Sequence, residues 1–283
     1  MNTADNDIKS AIETLKLTDK VIFAHCAMRS FGRLEGGANR LLELFLSAGC
    51  TVVVPTFTYF PMCHSPEGIE YAQNGYRGEL EIDPSPYDAD ANDIEPSMGA
   101  FAKAVLNHPN RIRTEHPMNS YSAVGPLAEA VLAPQDDFNV YGVYQSTETQ
   151  NAVVLSMGVT PNSITAIHYA EQLAGKSLFR RWALTSRRGV VETCVGSCSN
   201  GFTHLTPYLS PIQTERRVGE SLWLAYPLLA LLETCTLALI ADPAITRCSE
   251  DCPRCEDMAI GGANTANWPM KLIFSISPFL PLN

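Results

Sequence analysis

Two apolar runs, Val21-Ile22-Phe23-Ala24 and Thr51-Val52-Val53-Val54-Pro55, stand on either side of a loop and a helix, and that order limits the fold more than any other feature. Neither run alternates apolar with polar residues, so each reads as a strand covered on both faces. Between them, His25 to Gly32 form a loop, and Gly36-Gly37 precede a helix carrying Leu41, Leu42, Phe45 and Leu46. Two buried strands joined through a helix lie parallel, because the crossover returns the chain to the same edge of the sheet. A third apolar run, Ala152 to Val159, again leads into helical sequence. The expected fold class is α/β with a largely parallel central sheet.

The remaining segments fit around that frame. Ile8, Ile12 and Leu15 share one face of a helix expected from Asn6 to Leu17, and further helices are expected from Met98 to Leu106 and from Pro126 to Leu132. From Pro61 to Pro96 the chain is rich in Pro, Gly, Asp and Tyr without periodicity, the mark of a long insertion of the functional kind. Sequence after Arg180 reads as irregular and β-rich. The apolar stretch from Ser221 to Ala241 is interrupted by Pro227 and Glu233 and has no flanking charge pattern, so it reads as buried strand and helix rather than a membrane span.

Composition narrows the function classes. A chain of 283 residues with 46% hydrophobic content buries one large core or two intimate ones. The net charge is −10, and the basic residues cluster no further than the pairs Arg180-Arg181, Arg187-Arg188 and Arg216-Arg217. No nucleic acid and no membrane partner is expected; a cationic small molecule suits the charge better. Nine cysteines, an odd number, follow an N-terminus without a signal-peptide pattern, so free thiols in a reducing, cytoplasmic setting are expected.

Chemistry concentrates between Ser163 and Gly175. Asn162, Ser163 and Thr165 are competent N-caps, Ala-rich helical sequence follows, and Gly175 is a natural stop. His168 then falls in the first turn of a helix that begins at the end of a central strand. The positive end of the helix works against imidazolium there and favours a proton acceptor. The plain alternative is a structural histidine.

Four segments taken in order resemble the aminoglycoside 3-N-acetyltransferases, the antibiotic N-acetyltransferase family. The first is His25-Cys26-Ala27-Met28-Arg29-Ser30-Phe31-Gly32 with Glu35-Gly36-Gly37, and the second is Pro55-Thr56-Phe57-Thr58. The third runs from Asp93 to Gly99 through Arg113-Thr114-Glu115-His116-Pro117-Met118-Asn119-Ser120 to Val124-Gly125-Pro126. The fourth is Ser163-Ile164-Thr165-Ala166-Ile167-His168-Tyr169-Ala170-Glu171. The resemblance covers about residues 8 to 260.

This resemblance implies an α/β/α fold of the family's own type, unlike the GNAT acetyltransferases, and transfer of acetyl from acetyl-CoA to a small amine. The leading substrate it implies is the 3-amino group of an aminoglycoside antibiotic, which would make the protein a resistance enzyme. His168 is then the base toward the amine, with Thr165 one turn before it as thioester contact or helix cap. Glu171, at i+3, would orient the imidazole, meet the substrate's ammonium, or remain a solvated helix residue. The resemblance further implies acetyl-CoA contacts at His25, Cys26, Ala27, Met28, Arg29, Ser30, Phe31 and Gly32, and at Thr56, Phe57, Ser120, Val124 and Gly125. Tyr59, Asp83 and Glu171 are the candidate substrate contacts.

The chain also departs from the family. Ala27 replaces a usual serine. Aminoglycoside-acetylating members often carry a D-x-D-like acidic stretch after the catalytic helix, and its counterpart from Val195 to Phe202 has no acid. Polycationic sugars need carboxylates to replace their water. Glu79, Glu81, Asp83, Asp88, Asp90 and Asp93 of the long insertion are the residues that could supply them. An N-acyltransferase of a non-aminoglycoside amine is therefore the alternative. Outside that class stands a zinc-stabilised binding protein built on Cys248-x3-Cys252-x2-Cys255, with Cys194 or Cys198 as fourth ligand; no metal is expected on the leading reading. Residues 1–261 are expected to form a single acetyltransferase domain, active as monomer or homodimer, with residues 262–283 a tail of unknown role.

Overall fold

The computed structural model describes residues 2–69, 74–77 and 81–259; the expected tail at 262–283 and Glu79 lie outside them. The central sheet is built from β1 (Val21–Cys26), β2 (Thr51–Pro55), β3 (Ile112–Arg113), β4 (Tyr121–Val124) and β5 (Val153–Met157). After the two strands β6 (Phe179–Thr185) and β7 (Gly189–Val195), the chain adds β8 (Thr214–Val218) and β9 (Ser221–Pro227) to it. The seven-stranded order is β8-β9-β5-β1-β2-β4-β3. At its centre β5, β1 and β2 are parallel, as the strand–helix–strand order demands. The outer pairs are antiparallel, and short connections join β8 to β9 and β3 to β4.

Alternation along β1 divides the core. Ile22 and Ala24 pack with helices α1 (Asp5–Thr14), α2 (Gly37–Ser47) and α3 (Gly99–Leu106) on one face. Val21 and Phe23 pack on the other face with α4 (Ala128–Leu132), α5 (Ala166–Leu173) and α6 (Leu228–Ala241). Covering both faces is what makes the central strands continuously apolar. The apolar stretch after Ser221 resolves into β9 and α6, and no described helix is long and apolar enough to cross a membrane.

Strands β6 and β7 form a hairpin outside the main sheet, extended by the two-residue strand Met62–Cys63 at the start of the long insertion. A last helix, α7 (Pro253–Ala259), closes the described chain. Parallel pairing brings the C-terminal ends of β1, β2 and β5 to one edge: Cys26 pairs with Met157, and Phe23 with Val53. Open α/β sheets place ligands at that edge.

Candidate active site

A cavity of about 640 Å³ opens there. The end of β1 contributes His25 and Cys26, the segment after β2 contributes Phe57 and Tyr59, and the start of α3 contributes Met98 and Phe101. From the β5–α5 connection come Asn162, Ser163, Ile164 and Thr165, followed by His168, while Gly196, Ser197, Ser199 and Asn200 line it after β7. The volume and the mixed lining suit a small-molecule site.

His168 is the third residue of α5, close to where the sequence places it. A 3-10 turn, Pro161–Ser163, precedes the helix, and Thr165 is its N-cap residue. The Thr165 hydroxyl makes no capping bond, and Thr165 lines the cavity. Gly175 ends the segment at φ +95°, a left-handed conformation that suits glycine.

The imidazole is held from behind. His168 Nδ1 lies 3.0 Å from Glu171 Oε2, and Glu171 is 3% exposed. The other carboxylate oxygen accepts from Thr246 Oγ1 at 2.7 Å and Lys176 Nζ at 3.2 Å. Burial alone would push this carboxyl upward, but the hydrogen bond and charge of His168, with Lys176 and Thr246, hold it below the ordinary value. An ionised carboxylate only accepts, so Nδ1 carries a proton, and in the neutral imidazole the lone pair is then on Nε2. Tyr141 stacks on the imidazole with centroids 6.0 Å apart, and Phe202 meets it edge-on at 4.7 Å.

Gly196 is the fourth wall. A Cβ there would collide with Tyr141 Oη and approach His168 Cγ to 3.1 Å. Gly196→Ala is expected to lower kcat/KM at least about tenfold, with a smaller effect on melting, because the imidazole or Tyr141 must shift. Steady-state kinetics beside a thermal melt check this; unchanged kinetics would show that the packing yields freely.

Comparison with known proteins bears on this site. The family model described as aminoglycoside 3-N-acetyltransferase matches residues 23–214. The chain belongs to that family. Aminoglycoside N(3)-acetyltransferase III of Salmonella sp is 30% identical over 176 residues, 59% of each chain, so the match spans about three fifths of the curated relative's length. The solved structure of the aminoglycoside acetyltransferase AAC(3)-IVa, a histidine-to-alanine variant with a gentamicin, aligns with a TM-score of 0.72 at 21% identity, over 92% of this chain and 98% of that one. AAC-IIIb, solved as a binary complex with CoASH, aligns with a TM-score of 0.69 at 18% identity, over 84% and 97%. These likenesses show the fold of the aminoglycoside 3-N-acetyltransferases.

Within that fold the residues singled out from the sequence separate into two groups. His25, Cys26, Phe57, Tyr59, Thr165 and His168 share the cavity. Others lie elsewhere for identifiable reasons. Ala27 donates its N–H to Met157 O and Ser30 to Ala27 O, so two of the loop's expected phosphate donors are already engaged. Residues Met28–Phe31 form a 3-10 turn pinned by Phe31, whose ring meets Trp223 at 5.8 Å, and Ser30 Oγ bonds Ser221 Oγ at 2.7 Å. Arg29 and Gly32 are exposed away from the cavity lining.

Thr56 and Ser120 are fully buried in a hydroxyl network with Ser122, 3.1 Å apart in each case, beneath the cavity rather than in it. Val124 and Gly125 lie at the opposite end of the sheet, because β4 runs antiparallel to β2 and pairs Val124 with Val52. Gly125, at φ +131°, is needed for packing: a Cβ would come within 2.6 Å of Cys50 O. Asp83 is exposed and outside the cavity. Glu171 does not line the cavity either; it faces a separate cavity of about 110 Å³ behind His168, with Lys176, Cys198 and Thr246. Its place is to hold the imidazole, and contact with a substrate ammonium in the main cavity is not what the geometry offers.

Two further histidines are built into the fold. His116 accepts from the N–H groups of Met118 and Asn119 at Nδ1, and Nε2 faces Cys194 O at 3.0 Å. His25 has a buried Nε2 without a protein partner, at the cavity wall. Burial lowers both imidazoles from 6.5 to about 4. Between those values the unfolded chain binds protons that the folded one refuses, so this stability is complete above about pH 6.5 and falls as the pH drops toward 4. The loss amounts to on the order of 3 kcal/mol for each histidine. Urea midpoints at pH 7 and pH 5 test it; equal midpoints would contradict it.

The structure separates the two candidate fourth cysteines. Cys194 lies in β7, buried near His116, whereas Cys198, Cys248, Cys252 and Cys255 gather with all sulfurs within 4.8 Å of one another. Burial pushes the Cys26 thiol far up, and its sulfur faces Met28 Sδ at 3.6 Å, which leaves it a poor nucleophile. Sequence reasoning missed Tyr141, Lys176, Gly196 and Thr246. Lys176, adjacent to the Gly175 stop, carried the one readable signal, a cation near the C-terminus of the helix that bears Glu171.

Proposed function

We propose that the protein is an acetyl-CoA-dependent N-acetyltransferase acting on the 3-amino group of an aminoglycoside, with His168 as general base in direct transfer. The observation that carries this reading is a cavity-facing imidazole whose Nδ1–H is fixed by a buried, charged Glu171. The amine attacks the thioester carbonyl, forming an N–C bond as the C–S bond breaks. His168 Nε2 takes the amine's proton, Glu171 stabilises the imidazolium, and the proton is then available to the leaving thiolate. The Thr165 hydroxyl, unused in capping, is placed to contact the thioester. Family membership and the fold shared with proteins solved with a gentamicin and with CoASH support the substrate pair.

One observation favours acylation of a different small amine. The described lining carries Arg181 and Arg254 and no carboxylate. A polycationic sugar would have to draw on acids beyond that lining, whereas an amine that also bears an anionic group would find its counter-charges in place. Product analysis decides between the two. The protein is incubated with acetyl-CoA and either aminoglycosides or simple amines, and each product's acetyl position is determined by mass spectrometry and NMR. Acetylation of an aminoglycoside's 3-amino group is the expected result. Modification of simple amines alone would favour the second reading, and no acetylated product would overturn both.

A further inference from the structure

We propose that Cys198, Cys248, Cys252 and Cys255 form a structural zinc site that fixes one wall of the cavity. Their four sulfurs lie within 4.8 Å of one another, with Cys198 Sγ 3.7 Å and Cys255 Sγ 3.6 Å from Cys248 Sγ. Four thiolates at about 2.3 Å from a tetrahedral zinc stand about 3.8 Å from each other, close to the two Cys248 separations. All nine cysteines are free thiols, so no disulfide accounts for the cluster. Cys198 and Cys255 are buried while Cys248 and Cys252 are half-buried, which leaves the cluster a route from solvent.

The surroundings are those of a thiolate site. The Cys248 N–H points at Cys255 Sγ at 3.5 Å, and Arg254 Nη2 lies 3.8 Å from Cys198 Sγ. Arg247 braces the turn between Cys248 and Cys252 through Ser249 O and Glu250 O. Such donors offset the negative charge that four thiolates leave around a divalent ion. The site has a definite use. Cys198 sits between Ser197 and Ser199, which line the cavity, and Cys252 and Cys255 flank Pro253 and Arg254, which also line it. A bound ion ties these two segments, 50 and more residues apart, into one wall.

Metal content is read without any activity, so this inference and the catalytic reading fail separately. Protein purified without chelator from zinc-supplemented cells is expected to hold about one zinc per chain by mass spectrometry. Zinc-edge absorption is expected to give four sulfur neighbours at about 2.3 Å. Cys252→Ser is expected to lose most of the zinc and to melt more than about 5 °C lower, whereas Cys63→Ser, outside the cluster, keeps both. If Cys252→Ser fails to fold, the wild-type stoichiometry and absorption still decide. Less than about a tenth of an equivalent of zinc, or a nitrogen- and oxygen-bound ion, overturns the proposal.

Discussion

His168→Ala is expected to lower kcat/KM for acetyl transfer by about 10² to 10⁴-fold while leaving the Kd for CoA within about threefold of its original value. The imidazole is the only group in the described cavity whose second nitrogen is fixed by a buried carboxylate, and His25, on the same wall, is a weaker base because burial lowers it to about 4. Removing the ring also empties a space between Tyr141 and Phe202, which adds a structural effect to the chemical one. His168→Gln separates the two effects. It keeps most of the ring's volume, yet has no titrating nitrogen, and is expected to lose as much activity as the alanine variant. Turnover within about threefold of wild type in either variant would remove His168 from the mechanism.

Glu171→Gln is expected to lower kcat by about 10 to 100-fold and stability by about 3 kcal/mol, at the lower end for a broken buried pair because Lys176 retains some exposure. A carboxylate accepts only, which fixes the Nδ1–H tautomer; an amide can donate to Nδ1 instead and leave Nε2 protonated and useless as a base. The neutral amide also no longer balances Lys176 or the imidazolium formed during transfer. Kinetics and urea melts on the same preparation check both effects. A stable variant with undiminished kcat would reduce Glu171 to an ordinary buried acid.

The pattern of what could be read in advance is physical. Continuous apolar runs around Ile22, Val53 and Val154 are dictated by burial on both faces, and that local property announces an α/β sheet with parallel strands at its centre. His168, Thr165 and Glu171 share one short helix, so i+3 spacing alone brings the last within reach of the first. Thr246 reaches the Glu171 carboxylate and Gly196 the imidazole through long-range packing, which no local pattern encodes. The phosphate-loop donors show the same divide: the bond from Ser30 N–H to Ala27 O is a local turn, but the engagement of the Ala27 N–H by Met157 O is a tertiary fact. Strand direction accounts for Val124 and Gly125, since a motif read as continuous runs away from the site once β4 pairs antiparallel with β2. Of the two fourth ligands the sequence left open, Cys198 joins the other three cysteines because it lies in the segment after β7, whereas Cys194 is held within the strand.

The most direct measurement is thiol release from acetyl-CoA, followed with a thiol reagent across a panel of aminoglycosides and simple amines. The expected result is release that requires both protein and amine, saturates with each substrate, and is fastest with an aminoglycoside that bears a free 3-amino group. Release no faster than spontaneous hydrolysis with every amine, from protein that is folded by circular dichroism, would contradict the acetyltransferase assignment.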